Sequence, residues 1–388
     1  MKNDGEDSVK KKFIFYTAGD YQDTPSTGGT RRYREILEYF LEAGDRIYLL
    51  APENIQIPAH GNLKHVLLKT YQSNLLPNGL LNYLLNRKSF RFMKQFSSDG
   101  VLIFSVPYAM QCIMAGLKNI HLFIREDIVR NADFRARRKK GLRSFSLLKL
   151  LVYKFLERYA LKKAQKIIVQ SHYAKDLLKS RHPAINNLLD EKLYVLYNNV
   201  NAGWMLRYSG YIRQNPVTPG RTYHFLFVGT INTELKGLHV LLKALQSLLN
   251  EGYPVQLDVI GDGRLKSDYE HMYNKERGIQ FLGRVEEPMK VMPEYDLIIV
   301  PSLADSFPNV VLEALYLEMP VIGSKAGGIP EILLYPELMF EPNEKSLAQK
   351  LREVIENACF EAYRQKCIKR KHALTFHWGE KVREIVIQ

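Results

Sequence analysis

The chain has 388 residues, 46% hydrophobic and 25% charged, with a formal net charge of +14; this suits two domains that each bury a core and excludes a disordered chain. No run of about 18 apolar residues occurs, so no spanning helix is expected, and the polar opening MKNDGEDSVKKK argues against a secretory signal. The charge is uneven: residues 1–215 carry 35 Lys and Arg against 18 Asp and Glu, while residues 216–388 carry 20 against 23, so an anionic partner is expected for the first half.

KKFIFYTAG at 11–19 has the pattern of a buried strand, and Thr27, Gly28, Gly29 and Thr30 then open the helical pattern RRYREILEYFLEAGD. A strand, a glycine loop and a helix form the opening unit of a doubly wound domain. Further strands are expected at RIYLLAP (46–52), KHVLLK and GVLIFSVP (100–107). Their alternation with helices implies a parallel sheet that binds ligands at its carboxyl ends. NIHLFIREDIVRNADF (119–134) reads as a strand ending in Arg125, Glu126 and Asp127, with His121 as a core histidine whose hydrogen bonds are satisfied.

Six of the nine residues at 135–143 are basic, and they run into the helical pattern FSLLKLLVYKFLERYALKKA. One reading is a solvated loop beside an internal helix. The other is attachment to an anionic membrane leaflet, at about 1 kcal/mol per basic residue near the surface, and the charge asymmetry favours it. Aromatic residues for base stacking are sparse in the run, so nucleic acid is not expected as a partner. Cys112, Cys359 and Cys367 lack metal-ligand or CxxC spacing, and their odd number fits a reducing cytoplasm.

QKIIVQSHYAKDLLKS (165–180) is a strand, a cap at Ser171 and a helix; LYVLYNNVNAGWM is a strand and turn; YSGYIRQNPVTPGR (208–221) reads as a linker. The pattern then restarts. YHFLFVGTINTELKGLHVLLKALQSL holds Gly229, Thr230, Lys236 and Gly237 in the loop between a strand and a helix. VQLDVIGDG (255–263) is a strand with Gly261 at its carboxyl end, and IQFLGRVEEPMKVMPEYD follows.

DLIIVPS (296–302) is apolar and β-branched, as in a strand buried on both faces. A helix is expected next, with Ser306 as N-cap, Pro308 in the first turn, and Val310, Val311, Leu312, Ala314 and Leu315 carrying the pattern. Unpaired N–H groups and the helix dipole favour an anion such as phosphate at such a start. Asp305 precedes this helix and Glu313 lies two turns inside it, which at about 1.5 Å per residue separates the carboxylates by roughly 10 Å. That is comparable to the span from a sugar to a ribose across a pyrophosphate. PVIGSKAGGIPEI leads through a glycine turn to Glu331, and an amphipathic helix and the segment TFHWGEKVREIVIQ end the chain.

The run Asp-Ser-Phe-Pro-Asn-Val-Val-Leu-Glu-Ala at 305–314 resembles the Glu-Gly-Phe-Pro-x-x-x-x-Glu-Ala signature of retaining glycosyltransferases of family 4. The resemblance covers nearly the whole chain and is strongest at 225–347. It implies an α/β GT-B architecture of two Rossmann-like doubly wound domains facing a central cleft. An acceptor-binding domain would occupy 1–210, a nucleotide-sugar-binding domain 222–372, and a C-terminal helix at 373–388 would cross back to the first.

The resemblance also implies roles. Asp305 would contact hydroxyls of the donor sugar, Ser306, Phe307, Pro308, Asn309 and Val310 would hold the diphosphate, and Glu313 would bind the ribose. Lys236 and Gly237 match the lysine and glycine of the family's Gly-Arg-x-x-x-x-Lys-Gly element, with Lys236 the cationic partner of the diphosphate. Gly283, Arg284 and Val285 correspond to the turn under the base, and Gly229 and Gly261 belong to the same donor site. Gly28 and Gly29 match the loop between donor phosphate and acceptor. Arg125 and Asp127 stand near the position of a His-Asp-like pair facing the reacting centre. Two residues depart from the pattern: Thr230 replaces the usual Arg, and Asp305 the usual Glu.

The implied activity is transfer of a sugar, with retention, from a UDP- or GDP-sugar to a glycan or lipid-linked acceptor in bacterial surface polysaccharide biosynthesis, on the cytoplasmic side of the membrane. No Asp-x-Asp pair occurs, so no metal or other cofactor is expected; Lys236 and the helix start would act through preorganised electrostatics instead. A nucleotide-sugar epimerase or phosphorylase of the same fold, or a non-catalytic nucleotide-sugar-binding module, remains open as an alternative.

Overall fold

The computed structural model describes residues 11–16, 28–52, 60–69, 78–95, 98–125, 129, 143–214, 217, 220–273 and 278–388. The chain divides into two units. One comprises Met1–Gln170, Lys175–Leu196 and Trp378–Gln388; the other comprises Ser171–Ala174 and Tyr197–His377.

Among the described residues, the first unit has a seven-stranded parallel sheet: β1 (Lys12–Tyr16), β2 (Arg46–Pro52), β3 (Leu63–Leu68), β4 (Gly100–Ile103), β5 (Ile120–Ile124), β6 (Lys166–Val169) and β7 (Leu193–Val195). Their order is β3-β2-β1-β4-β5-β6-β7. The inner strands are unbroken runs of large apolar residues because helices cover both faces. Phe13 and Phe15 of β1 are fully buried and meet the ring of Phe40 edge-on at 4.9 and 5.4 Å. Phe40 lies on the helix Gly28–Glu42. The helix Trp378–Ile387 lies against that same helix: a Cβ on Gly379 would sit 2.5 Å from the Cβ of Tyr39, and Arg383 donates to both oxygens of Asp45 at 2.7 and 3.0 Å.

Two boundaries differ from the sequence reading in this unit. The strand expected through residue 107 stops at Ile103, because Ser105 takes the N-cap position and Pro107 enters the first turn of the helix Val106–Met114, where a missing N–H is harmless. Gly28 and Gly29 form the first turn of their helix rather than a loop before it.

The second unit repeats the winding in six strands, again counted among the described residues: β8 (Tyr223–Val228), β9 (Val255–Ile260), β10 (Ile279–Gly283), β11 (Leu297–Val300), β12 (Val321–Ser324) and β13 (Met339–Phe340), ordered β10-β9-β8-β11-β12-β13. β8 pairs in parallel with β9 on one side and β11 on the other, so the strand order reverses between β8 and β11. In a doubly wound sheet this reversal opens a crevice beyond the carboxyl ends. The described residues of the stretch expected to be a linker pack on this unit instead. Tyr208 is buried and its hydroxyl donates to Glu287 at 3.0 Å. Arg213 is also buried and pairs with the fully buried Asp296, which Arg221 meets at 2.6 Å. Two guanidinium groups on the one carboxylate offset the desolvation that would otherwise oppose burying Asp296.

Candidate active site

The loops after β8 and β11 leave the sheet on either side of the reversal, and the backbone ties them together. Leu303 donates its N–H to the carbonyl of Leu235 at 2.7 Å. Gly237, at φ 71°, ends the first loop and starts the helix Leu238–Asn250. A Cβ there would lie 1.8 Å from the carbonyl oxygen of Pro301, so only glycine permits this approach. The turn carries Lys236 to the β11 side, where its Nζ stands 2.5 Å from Asp305 Oδ2. The two side chains are 36% and 17% exposed, so solvent reaches the pair at the carboxyl edge of the sheet.

The Asp305 loop is braced from its other side by a glycine turn. Gly328 donates its N–H to the carbonyl of Asp305 at 2.8 Å. A Cβ on Gly327 (φ 62°) would fall 2.0 Å from Asp305 O, and one on Gly328 1.9 Å from Ser306 O. Phe307 is buried and its ring stacks on Tyr197 at 5.3 Å.

These contacts move the helix start. It runs Asn309–Tyr316, with Pro308 at the N-cap in extended conformation (φ −66°, ψ 124°) and no side-chain cap. Ser306 is therefore not the cap, and Pro308 is not in the first turn. The residue before a proline avoids helical geometry, and the buried Phe307 ring fixes it. Glu313 is consequently the fifth helical residue, just over one turn in rather than two, and it is buried. Asn309 and Val310, both half-buried, supply the first N–H groups of the helix. The buried Oδ1 of Asn309 has no hydrogen-bond partner. The side chains of Phe307 and Pro308 point into the core, so only their backbone can face a ligand.

Three glycines join the neighbouring strand ends into one seam. Gly229 donates its N–H to Ile260 O at 3.0 Å and Gly261 to Gly283 O at 2.7 Å, while a Cβ on Gly261 would lie 1.9 Å from Gly229 O. Thr230 and Arg284 are exposed and Val285 is half-buried. The structure thus gathers Gly229, Thr230, Lys236, Gly261, Gly283, Asp305 and the Asn309 helix start along one edge of one sheet.

Sequence reasoning missed the role of Glu331. Its carboxylate accepts the N–H groups of His172 and Tyr173 at 2.7 and 2.8 Å, beside the Ser171 hydroxyl that caps Ala174 N at 3.1 Å as expected. Burial, helped by a hydrogen bond to Glu331, pushes the Tyr197 phenol up to about 12. The signal available was an acid three residues beyond Gly328, but its partners lie 158 and 159 residues away.

In the first unit, Gly28 and Gly29 follow β1, and Arg125 follows β5, where its carbonyl accepts a hydrogen bond from Gln170 Nε2 at 3.1 Å. Asp127, Glu126 and the basic residues at 135–142 lie outside the described residues. His121 is a core residue, as expected, but its ring is not satisfied as expected. It is buried with no partner for either ring nitrogen, and burial, with Lys166 nearby, lowers it to about 4. On the helix Arg143–Lys163, Leu151 (63% exposed), Val152, Phe155 (67%) and Tyr159 face outward, interleaved with exposed Lys154, Arg158, Lys162 and Lys163. No helix among the described residues is long and apolar enough to cross a membrane.

Comparison with known proteins bears on the family and the fold. Residues 222–357 match the family described as Glycosyl transferases group 1. An uncharacterised glycosyltransferase of Methanocaldococcus jannaschii is 29% identical over 52% of this chain and 48% of its own, so the chain spans about half the length of that relative. The capsular polysaccharide biosynthesis glycosyltransferase CapM of Staphylococcus aureus is 27% identical over 34% of this chain and 36% of its own. Among solved structures, sucrose-phosphate synthase from Thermosynechococcus elongatus superposes with a TM-score of 0.72 at 15% identity, covering 97% of this chain and 98% of that one. The likeness shows the fold, GT-B.

Proposed function

We propose that this chain, whose second unit carries the glycosyl transferases group 1 domain, is a retaining glycosyltransferase of the family 4 type. It would move a sugar from a nucleotide-diphospho-sugar to a glycan or lipid-linked acceptor of a bacterial surface polysaccharide. The observation that carries this reading is the Lys236–Asp305 pair at the strand-order reversal, next to the start of the Asn309 helix.

A diphosphate at that helix start receives the first N–H groups and the positive end of the dipole. It also competes with Asp305 for Lys236. As Lys236 turns to the phosphate oxygens, the Asp305 carboxylate is released toward the hydroxyls of the sugar. Glu313, one turn further in, takes the ribose. Charge on the departing diphosphate is then met by groups already in place, which is the largest single contribution in most such sites. The leaving phosphate accepts the acceptor's proton on the face where the new bond forms, giving retention. These groups call for no metal. The similarity to a capsular polysaccharide enzyme supports the choice of acceptor class.

The exposed Leu151, Val152, Phe155 and Tyr159, set among lysines and an arginine, support a peripheral contact with an anionic membrane at the cytoplasmic face, where a lipid-linked acceptor would be met. The activity is tested by incubating the wild type and Glu313→Ala with a panel of UDP- and GDP-sugars and following release of the nucleotide diphosphate. Release by the wild type and its loss in the variant are expected; full turnover by Glu313→Ala removes the assignment.

A further inference from the structure

We infer that Arg264 supplies the second cation for the donor diphosphate, the one that Thr230 cannot provide. This rests on the nucleotide-sugar reading above. Thr230 is neutral and exposed in the loop after β8, which leaves Lys236 as the cation of that loop against two phosphates.

The loop after β9 is laid directly across the residues that follow Thr230. Ile231 donates its N–H to Asp262 O at 2.9 Å, and Leu265 donates back to Ile231 O at 3.1 Å. Gly263 comes so close that a Cβ would lie 2.5 Å from the carbonyl carbon of Ile231. Arg264 is held twice: its N–H donates to Asn232 Oδ1 at 3.2 Å, and its Nε donates to Asn232 O at 2.7 Å. The base of the guanidinium is therefore anchored to a residue only two places from Thr230, at the carboxyl edge of the sheet.

That anchor uses Nε and leaves the two terminal nitrogens, whose planar fork matches the oxygens of a phosphate. Of the neighbouring cations, Lys236 pairs with Asp305 until the diphosphate arrives, Lys266 pairs with Glu270 at 3.2 Å, and the exposed Arg284 follows β10, one strand further from Lys236. Among the described residues no carboxylate pairs with Arg264. An arginine left unpaired yet fixed in direction by its own Nε is suited to an anion arriving at this edge, and loses little side-chain freedom when it binds.

The test is calorimetric titration of the wild type, Arg264→Ala and Arg264→Lys with UDP, GDP and ADP and with the corresponding monophosphates. Arg264→Ala is expected to weaken the tightest-bound diphosphate roughly ten- to hundred-fold, and its monophosphate several-fold less. Arg264→Lys should fall between, because it keeps the charge and loses the anchor. Adding Thr230→Arg to Arg264→Ala should restore diphosphate affinity. Wild-type binding with no change in Arg264→Ala, equal losses for mono- and diphosphate, or no recovery with Thr230→Arg would each overturn the inference. If the wild type binds none of the nucleotides, the nucleotide-sugar reading itself falls. Unchanged circular dichroism and melting of each variant separate these outcomes from misfolding.

Discussion

Lys236 and Asp305 stand 69 residues apart in the chain, and their side chains meet at 2.5 Å. With the lysine more than a third exposed, solvent screens the pair, and its contribution to stability is well under about 1 kcal/mol. In the proposed reaction its value lies in placing a cation and a carboxylate where a diphosphate joins a sugar. Lys236→Ala is expected to lower kcat/KM for the nucleotide-sugar by about 10²- to 10³-fold while moving the melting temperature by less than about 2 °C. A large loss of stability with little loss of turnover would make the pair structural.

Gly237 and Gly252 both adopt positive φ, 71° and 84°, yet their surroundings differ. A Cβ on Gly252 meets nothing within 4 Å, whereas one on Gly237 strikes the backbone of Pro301. Gly252→Ala should therefore cost only the left-handed strain of about 1 kcal/mol. Gly237→Ala should cost at least about twice that and displace the Lys236 loop as well. Urea midpoints of the two variants, read beside their turnover, distinguish strain from collision; equal midpoints would contradict the close approach.

His121 links stability to acid. Its folded value lies near 4, below the usual 6.5, so the unfolded chain takes up a proton first as pH falls. The stability it contributes is present above about pH 6.5 and is lost on the way down to pH 4, by about 3 kcal/mol in all. The drop in urea midpoint between pH 7 and pH 4.5 should be smaller in His121→Leu than in the wild type. Identical drops would show that His121 does not titrate this way.

Membrane contact makes a separate demand. Leu151→Ser combined with Phe155→Ser should reduce co-sedimentation with liposomes containing anionic lipid several-fold. Replacing Arg137, Arg138, Lys139 and Lys140 with Gln should weaken the binding that salt can screen. If both variants sediment like the wild type, the peripheral reading is lost.

Much of this was legible in the residues alone. Runs such as Leu297–Val300 are apolar throughout because a parallel strand is covered on both sides, and such runs marked both sheets. Asp305, Glu313 and Lys236 were singled out by resemblance to a family signature, which could be seen because strand, loop and helix follow one another directly in the chain. Contacts between loops on neighbouring strands were not legible: Gly328 under Asp305 and Arg264 on Asn232 depend on which strand ends share an edge, and Glu331 against His172 and Tyr173 joins residues 159 and 158 positions apart. The helix start was misplaced for a local reason. A proline can serve as N-cap or as first-turn residue, and the choice here was made by Phe307, whose ring is held by Tyr197.

The ten-residue helix Trp378–Ile387 is the last element of the chain, yet it completes the unit that was begun first. Arg32 lies over the ring of Trp378 at 5.7 Å, and Arg383 reaches Asp45. Neither half of the protein is thus a contiguous stretch of gene. A ribosome will have finished the second unit before the first can acquire its outermost layer. A frameshift just before Trp378 would spare every residue of the proposed chemistry and still strip the Gly28–Glu42 helix of its cover.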